Sequence, residues 1–331
     1  MSALAKRPTH YTGPPIGAQP ETPPPTARNI ARTQQRAPRA IANGQYGEYR
    51  TQNYISHNAT ARSGEETRMW RDGQDNMIND LKAFKMSSDK VNTLHFLLYG
   101  PTGSGKSSVI DTIKTTFKGR LFINFLAASE ISDTSHTKCD RLLPFAFHDI
   151  RGLEKEDRNG VHTQDIISAL EGHMKEGYEL NPIPLSKDNP YYIKHPSLND
   201  QIHCLVNVIP ADTISMIKDD FIQHMKKVRE EASRMGIPQV VFMTRVDRAF
   251  PLTKKDLRSI YKSRKIREKV RECSMSLGVP VNCIFPVWNY HEETEIKEEI
   301  NCLMLHALTK IVHFADDYIV ERSEKQTSFK F

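Results

Sequence analysis

The 331-residue chain is predicted to fold as an α/β protein, a mostly parallel sheet with helices on both faces, preceded by a disordered N-terminal tail. Three observations carry that prediction. From residue 66 onward, short and almost continuously apolar runs alternate with longer amphipathic stretches, the order that gives parallel strands joined by crossovers. A glycine-rich turn, Gly100-Pro101-Thr102-Gly103-Ser104-Gly105-Lys106-Ser107, separates the first apolar run from the first helix that follows it. Residues 1–64 instead hold eight of the nineteen prolines and few aliphatics, too little apolar surface to offset the entropy of ordering a chain.

The tail also explains the charge. It carries eight basic residues against two acidic ones, a net +6 equal to the formal charge of the whole chain, so the remainder is neutral. The pI of about 8.9 therefore does not mark a basic folded domain. By electrostatics alone the tail can touch RNA, acidic partners or anionic lipid, but its composition fits a solvated flexible extension better. The domain division expected is 1–64 for the tail and 65–331 for one folded domain with a long C-terminal helix.

Apolar runs place strands at 94–99, 121–126, 142–147, 202–209, 239–243 and 283–287. Helices are expected at 66–85, 107–117, 161–175, 214–235 and 254–277, and a final amphipathic helix at 292–321. The last is read as packed on the domain's own flank rather than as a dimerisation seam. Residues 178–200 hold Pro182, Pro184, Pro190 and Pro196 without periodicity and read as a surface insertion. The five cysteines lack any C-x-x-C pair and read as packed, reduced thiols. Without an export signal or a twenty-residue apolar span, a cytoplasmic location is expected.

The glycine-rich turn has the makeup of a phosphate-binding P-loop. Gly100, Gly103 and Gly105 let successive amides turn inward, Thr102, Ser104 and Ser108 extend the cradle, and the helix behind it presents its positive end to the same anion. Pro101 has no amide hydrogen, so the cradle is built from later residues. Lys106 reaches toward the terminal phosphates, and the Ser107 hydroxyl is a ligand for Mg2+. The next strand ends in Asp149-Ile150-Arg151-Gly152, an acid that orients Mg2+ and a glycine whose amide meets the γ-phosphate.

Thr244-Arg245-Val246-Asp247 resembles the guanine-reading motif of GTPases. The Asp247 carboxylate accepts from both N1–H and the exocyclic amine of guanine, donors that adenine does not offer as a pair. Arg245 stands where a lysine stem usually crosses the base, and a guanidinium stacks on a purine too. Trp288 and Asn289 end the last strand where a loop covers the base. In the polar run 132–137, Thr137 and Thr134 compete to close over the metal. A P-loop NTPase with a Ras-like G domain, taking GTP or GDP with Mg2+, is the expectation. An ATP-binding P-loop protein and a nucleotide-binding scaffold without catalysis remain the alternatives.

Leu153 stands after Gly152, where a water-positioning glutamine sits in Ras-like proteins. Arg151 is the candidate catalytic residue, as an arginine finger supplied in cis; a surface salt bridge is its other reading. Hydrolysis is therefore expected to be slow or partner-assisted. The P-loop, Asp149-Ile150-Arg151-Gly152-Leu153-Glu154, Thr244-Arg245-Val246-Asp247, Pro286-Val287-Trp288-Asn289-Tyr290 and Phe314-Ala315-Asp316-Asp317-Tyr318 together resemble the interferon-induced protein 44 family, from Met69-Trp70-Arg71 to the C-terminus. That resemblance implies a G domain, guanine-nucleotide binding, a cytoplasmic location and a part in antiviral innate immunity. It implies no particular protein partner.

Overall fold

The computed structural model describes residues 63–122, 138–142, 144–150, 162–178, 183–217, 219–254, 257 and 260–328. A six-stranded sheet in the order β2-β3-β1-β4-β5-β6 forms its centre. β1 (Leu94–Tyr99), β3 (Phe145–Asp149), β4 (Cys204–Pro210), β5 (Gln239–Thr244) and β6 (Ile284–Pro286) run parallel, as the apolar runs predict. β2 (Lys138–Leu142) runs antiparallel to β3, Lys138 opposite Asp149 and Leu142 opposite Phe145. From β1 the order runs to β3 and β2 on one side and to β4, β5 and β6 on the other. The sheet thus has a switch point beside β1, where ligands bind at the carboxyl ends of strands in open α/β sheets.

The expected strand at 121–126 is not borne out where it is described: Leu121 and Phe122 lie outside any strand. The Phe122 ring is held under Lys114 and Lys118, 5.0 and 4.4 Å from its centroid, and its amide donates to Thr115 Oγ1 at 2.9 Å. Those contacts fasten Phe122 to the helix it follows. The strand that pairs with β3 is Lys138–Leu142 instead, and its mostly polar sequence gave no apolar run to detect.

Helices cover the sheet: α1 (Ser63–Lys82), α2 (Lys106–Lys118), α3 (Thr163–Leu170), α4 (Asp219–Arg234), α5 (Arg264–Leu277) and α6 (Glu298–Ser328). Three are shorter than their periodicity suggests. α3 stops at Leu170 because the chain turns at Gly172, where a Cβ would meet the Asp200 carbonyl at 2.8 Å. α4 starts only at Asp219, after a 3-10 turn at Ile214–Met216, with Asp219 and Asp220 facing its positive end. α5 starts at Arg264 because the Ser263 hydroxyl accepts from the Ile266 amide and caps it. The last helix is shifted, opening at Glu298 and running to Ser328.

α6 is wedged between α1, α2 and the sheet, and Ile300, Met304, Ala307, Leu308, Ile311, Val312, Ala315 and Ile319 are all but inaccessible to solvent. Buried Asp316 on the same helix accepts from the Ser87 amide and hydroxyl at 2.9 and 2.6 Å. In the sheet, Phe96 stacks on Phe147 and Phe242 meets Phe285 edge-on. Cys204, Cys273 and Cys302 are buried free thiols, and burial pushes the last two up to about 12. Among the described residues, no helix is long and apolar enough to cross a membrane.

Candidate nucleotide-binding site

The P-loop turns at the end of β1 because nothing larger than glycine fits. A Cβ on Gly100 would lie 2.2 Å from the Val208 carbonyl oxygen of β4, well inside any tolerable contact. Gly105 is the N-cap of α2 in a left-handed conformation, φ 96°, and no side chain caps that end. The first turn of α2 is therefore set to receive an anion from outside the helix. Ser104 Oγ is buried at the same place with no hydrogen-bond partner among the described residues.

Lys106 is almost wholly buried and donates to the Gly100 and Pro101 carbonyls at 3.2 and 3.1 Å. Burial lowers its pKa and the nearby Asp149 carboxylate opposes that shift. Ser107 Oγ donates to Asp149 Oδ2 at 2.5 Å, so the hydroxyl and the carboxylate singled out for metal binding meet across the gap between α2 and β3. A hydroxyl and a carboxylate oxygen are ligand types that a hard dication accepts, with water and phosphate oxygens in its other positions.

The other half of the candidate site is built on the end of β5. Thr244 Oγ1 donates to the Ser104 carbonyl at 2.6 Å and ties that strand end to the P-loop. Arg245 has φ 54°, the one non-glycine residue in the left-handed region among the described residues. Its guanidinium donates to the Gly103 carbonyl and pairs with Asp212 at 3.8 Å. Such a backbone is disfavoured by about 1–2 kcal/mol for a residue with a side chain. The side-chain anchors and the turn Val246–Ala249, whose Arg248 and Ala249 amides bond the Arg245 carbonyl, hold it there.

Asp247 is buried within that turn, its Oδ2 3.8 Å from His291 Nε2. Asn289 Nδ2 donates to the Gly105 carbonyl at 3.2 Å, while Asn289 Oδ1 and the buried Trp288 Nε1 have no hydrogen-bond partner among the described residues. Gly100, Thr102, Gly103, Ser104, Gly105, Lys106, Ser107, Ser108, Asp149, Thr244, Arg245, Asp247, Trp288 and Asn289 thus come from one P-loop and three strand ends at one edge of the sheet. Thr134, Thr137, Arg151, Gly152 and Leu153 lie outside the described residues.

Strand order, an antiparallel β2 and a P-loop on β1 together define the fold of P-loop GTP-binding proteins. Interferon-induced protein 44 from Homo sapiens is 31% identical over 253 residues, 73% of this chain and 57% of that protein. Its Mus musculus counterpart is 30% identical over 254 residues, 74% and 60% of the two chains, and human interferon-induced protein 44-like is 27% identical over 267 residues, 78% and 59%. The chain belongs to the interferon-induced protein 44 family. It spans about 60% of the length of the relatives it matches. A scan of protein-family models returned no match.

Solved structures similar to this family member include Toc33 from Arabidopsis thaliana in complex with GDP and Mg2+, at 11% identity over 73% of this chain and 91% of that one, TM-score 0.42. Another is the apo form of translation elongation factor SelB from Methanococcus maripaludis, at 11% identity over 70% and 34% of the two chains, TM-score 0.36. Both likenesses are distant.

Sequence reasoning missed Asp212 and His291, and it quoted Tyr290 only as part of the run 286–290. Asp212 follows β4 and anchors Arg245; nothing in its neighbourhood marks it. Tyr290 bonds through its amide to Thr112 Oγ1 at 3.1 Å, and its hydroxyl contacts the Lys297 amide and Asn301 Oδ1 at 3.0 and 2.9 Å, joining the base loop to α2 and α6. His291, one residue past the motif, stands beside Asp247. Only its adjacency to Trp288-Asn289-Tyr290 could have drawn notice.

Proposed function

We propose that this chain binds GTP and GDP together with Mg2+ and that its hydrolysis of GTP is slow or depends on a partner. The observation that carries this reading is the convergence of Lys106, the Ser107–Asp149 pair, Thr244 and Asp247 on one end of the sheet. Phosphates would be held by Lys106, by the amides of the P-loop and by the opening turn of α2. The metal ion would be held by Ser107 and Asp149, with Thr137 as the further candidate ligand, and it supplies charge neutralisation of the phosphate oxygens.

The orphaned polar atoms support a bound ligand. Ser104 Oγ, Trp288 Nε1 and Asn289 Oδ1 are buried without partners among the described residues, and each such atom is disfavoured by about 1–3 kcal/mol. A nucleotide offers donors and acceptors to satisfy them. The buried Lys106 ammonium fits the same picture, because two neutral carbonyls compensate a desolvated charge less well than phosphate does. Asp247 would select guanine, and Arg245, Trp288 and Asn289 would frame the base.

Arg151 is the candidate for stabilising charge at the transferred phosphoryl group. Leu153 favours a second reading, in which nucleotide is bound as a structural element without turnover, since an aliphatic side chain positions no water. From its family we infer induction by interferon, a part in antiviral innate immunity and cytoplasmic action, with protein partners that respond to the bound nucleotide. Extraction of nucleotide from the purified protein, followed by turnover assays with Mg2+ and with a chelator, tests this reading. Co-purifying guanine nucleotide and Mg2+-dependent retention are expected, both lost in Lys106→Ala. A nucleotide-free protein that does not take up GDP overturns it.

A further inference from the structure

We propose that His291 is a second base-reading residue, its imidazolium donating through Nε2–H to guanine O6 while Asp247 accepts from the neighbouring N1–H and exocyclic amine. The proposal rests on the guanine reading above and adds the group that recognises the 6-position. His291 Nδ1 lies 3.1 Å from the Asn289 carbonyl oxygen. A carbonyl only accepts, so Nδ1 carries a hydrogen. With Nδ1–H committed, Nε2 bears a hydrogen only in the imidazolium. The neutral ring would turn a lone pair toward Asp247 Oδ2, 3.8 Å away.

The charged groups facing the ring are Asp247 from the turn after β5, and Glu292 and Glu293 from the base loop, at 3.8, 3.9 and 3.7 Å. Glu293 also accepts from the His291 amide at 3.0 Å, and Lys297 reaches Glu293 Oε1 at 3.4 Å. The ring is thus fixed at one nitrogen by backbone and carries its other nitrogen beside the carboxylate assigned to the base. The 3.8 Å separation is too long for a hydrogen bond, so Asp247 does not consume that donor.

A donor and an acceptor side by side match the edge of guanine, where the O6 acceptor adjoins the N1–H donor. Adenine reverses both: its 6-amine would face the His291 donor and its bare N1 would face the Asp247 carboxylate. Each mismatch leaves a group desolvated without a partner, the arrangement that gives large discrimination. The two residues divide the work, His291 reading the 6-position and Asp247 the 2-position.

Binding of GDP, 6-thioguanosine diphosphate and xanthosine diphosphate to the full chain separates these roles. The first analogue changes only the 6-position and the second only the 2-position. Wild type should prefer GDP over the 6-thio analogue by about tenfold, the scale of one hydrogen bond from a charged donor. His291→Ala should lose that preference and keep GDP over xanthosine diphosphate. His291→Gln, which retains an N–H donor, should keep the 6-position preference.

Thermal melting of each variant confirms folding. A His291→Ala protein with the wild-type ratio of GDP to 6-thio analogue overturns the proposal and leaves the guanine reading intact. A wild-type protein that binds no GDP overturns both.

Discussion

Lys106 and Gly100 are expected to fail in different ways when replaced. Lys106→Ala removes a buried ammonium whose hydrogen bonds go to two neutral carbonyls, so the fold should melt at or above the wild-type temperature while GDP affinity falls at least about 100-fold. Gly100→Ala places a methyl group 2.2 Å from a backbone oxygen of β4, so β1 and β4 must separate; a loss of several kcal/mol in denaturant unfolding is expected. His203 supplies a prediction in pH. Its Nδ1 accepts from the His95 amide, its Nε2–H donates to the Leu198 carbonyl, and burial holds its pKa down to about 4. Between that value and the ordinary 6.5 the unfolded chain binds a proton that the folded one refuses. Stability contributed by the neutral ring is thus present above pH 6.5 and lost progressively toward pH 4, by up to about 3 kcal/mol. Urea unfolding at stepped pH should show a shallower acid-side fall in His203→Gln, whose amide is not protonated there; an unchanged slope contradicts this.

Among the elements, the base loop and α6 behave as one unit through the Tyr290 hydroxyl, which accepts from the Lys297 amide and contacts Asn301 Oδ1, itself bonded to Thr116. Tyr290→Phe should cost about 1–2 kcal/mol in unfolding and weaken GDP, while leaving the preference for guanine over adenine unchanged because Asp247 is not touched. Elements were legible in proportion to burial. β1, β4 and β5 are almost wholly buried, so their sequences are continuous apolar runs and their bounds were readable within two residues. Among the described residues β2 pairs with β3 alone, and Lys-Cys-Asp-Arg-Leu carries no such signal. The start of α5 was misjudged because the Ser263 cap overrides periodicity. The P-loop and Asp247 were legible because each motif is contiguous in sequence. His291 and Asp212 were not, since only tertiary proximity brings them beside Asp247 and Arg245.

At the scale of the molecule, charge divides unevenly along the sequence. All of the net +6 belongs to residues 1–64, and the remainder is neutral. A chain starting at residue 63 is expected to keep the melting temperature and GDP affinity of the full protein, and to lose any salt-sensitive retention on polyanionic resin. Equal retention of the two forms contradicts that division. The sheet meanwhile gathers its switch point, the Ser107–Asp149 pair and Asp247 at one end, which makes nucleotide identity the property on which the proposed function turns. The most direct measurement is calorimetric affinity for GDP, xanthosine diphosphate and ADP in wild type and Asp247→Asn. Wild type should prefer GDP over both others by about 100-fold or more, and Asp247→Asn should shift that preference to xanthosine diphosphate, because the amide donates where the carboxylate accepted. Absence of heat with GDP at millimolar concentration, or ADP binding as tightly as GDP, would contradict the account.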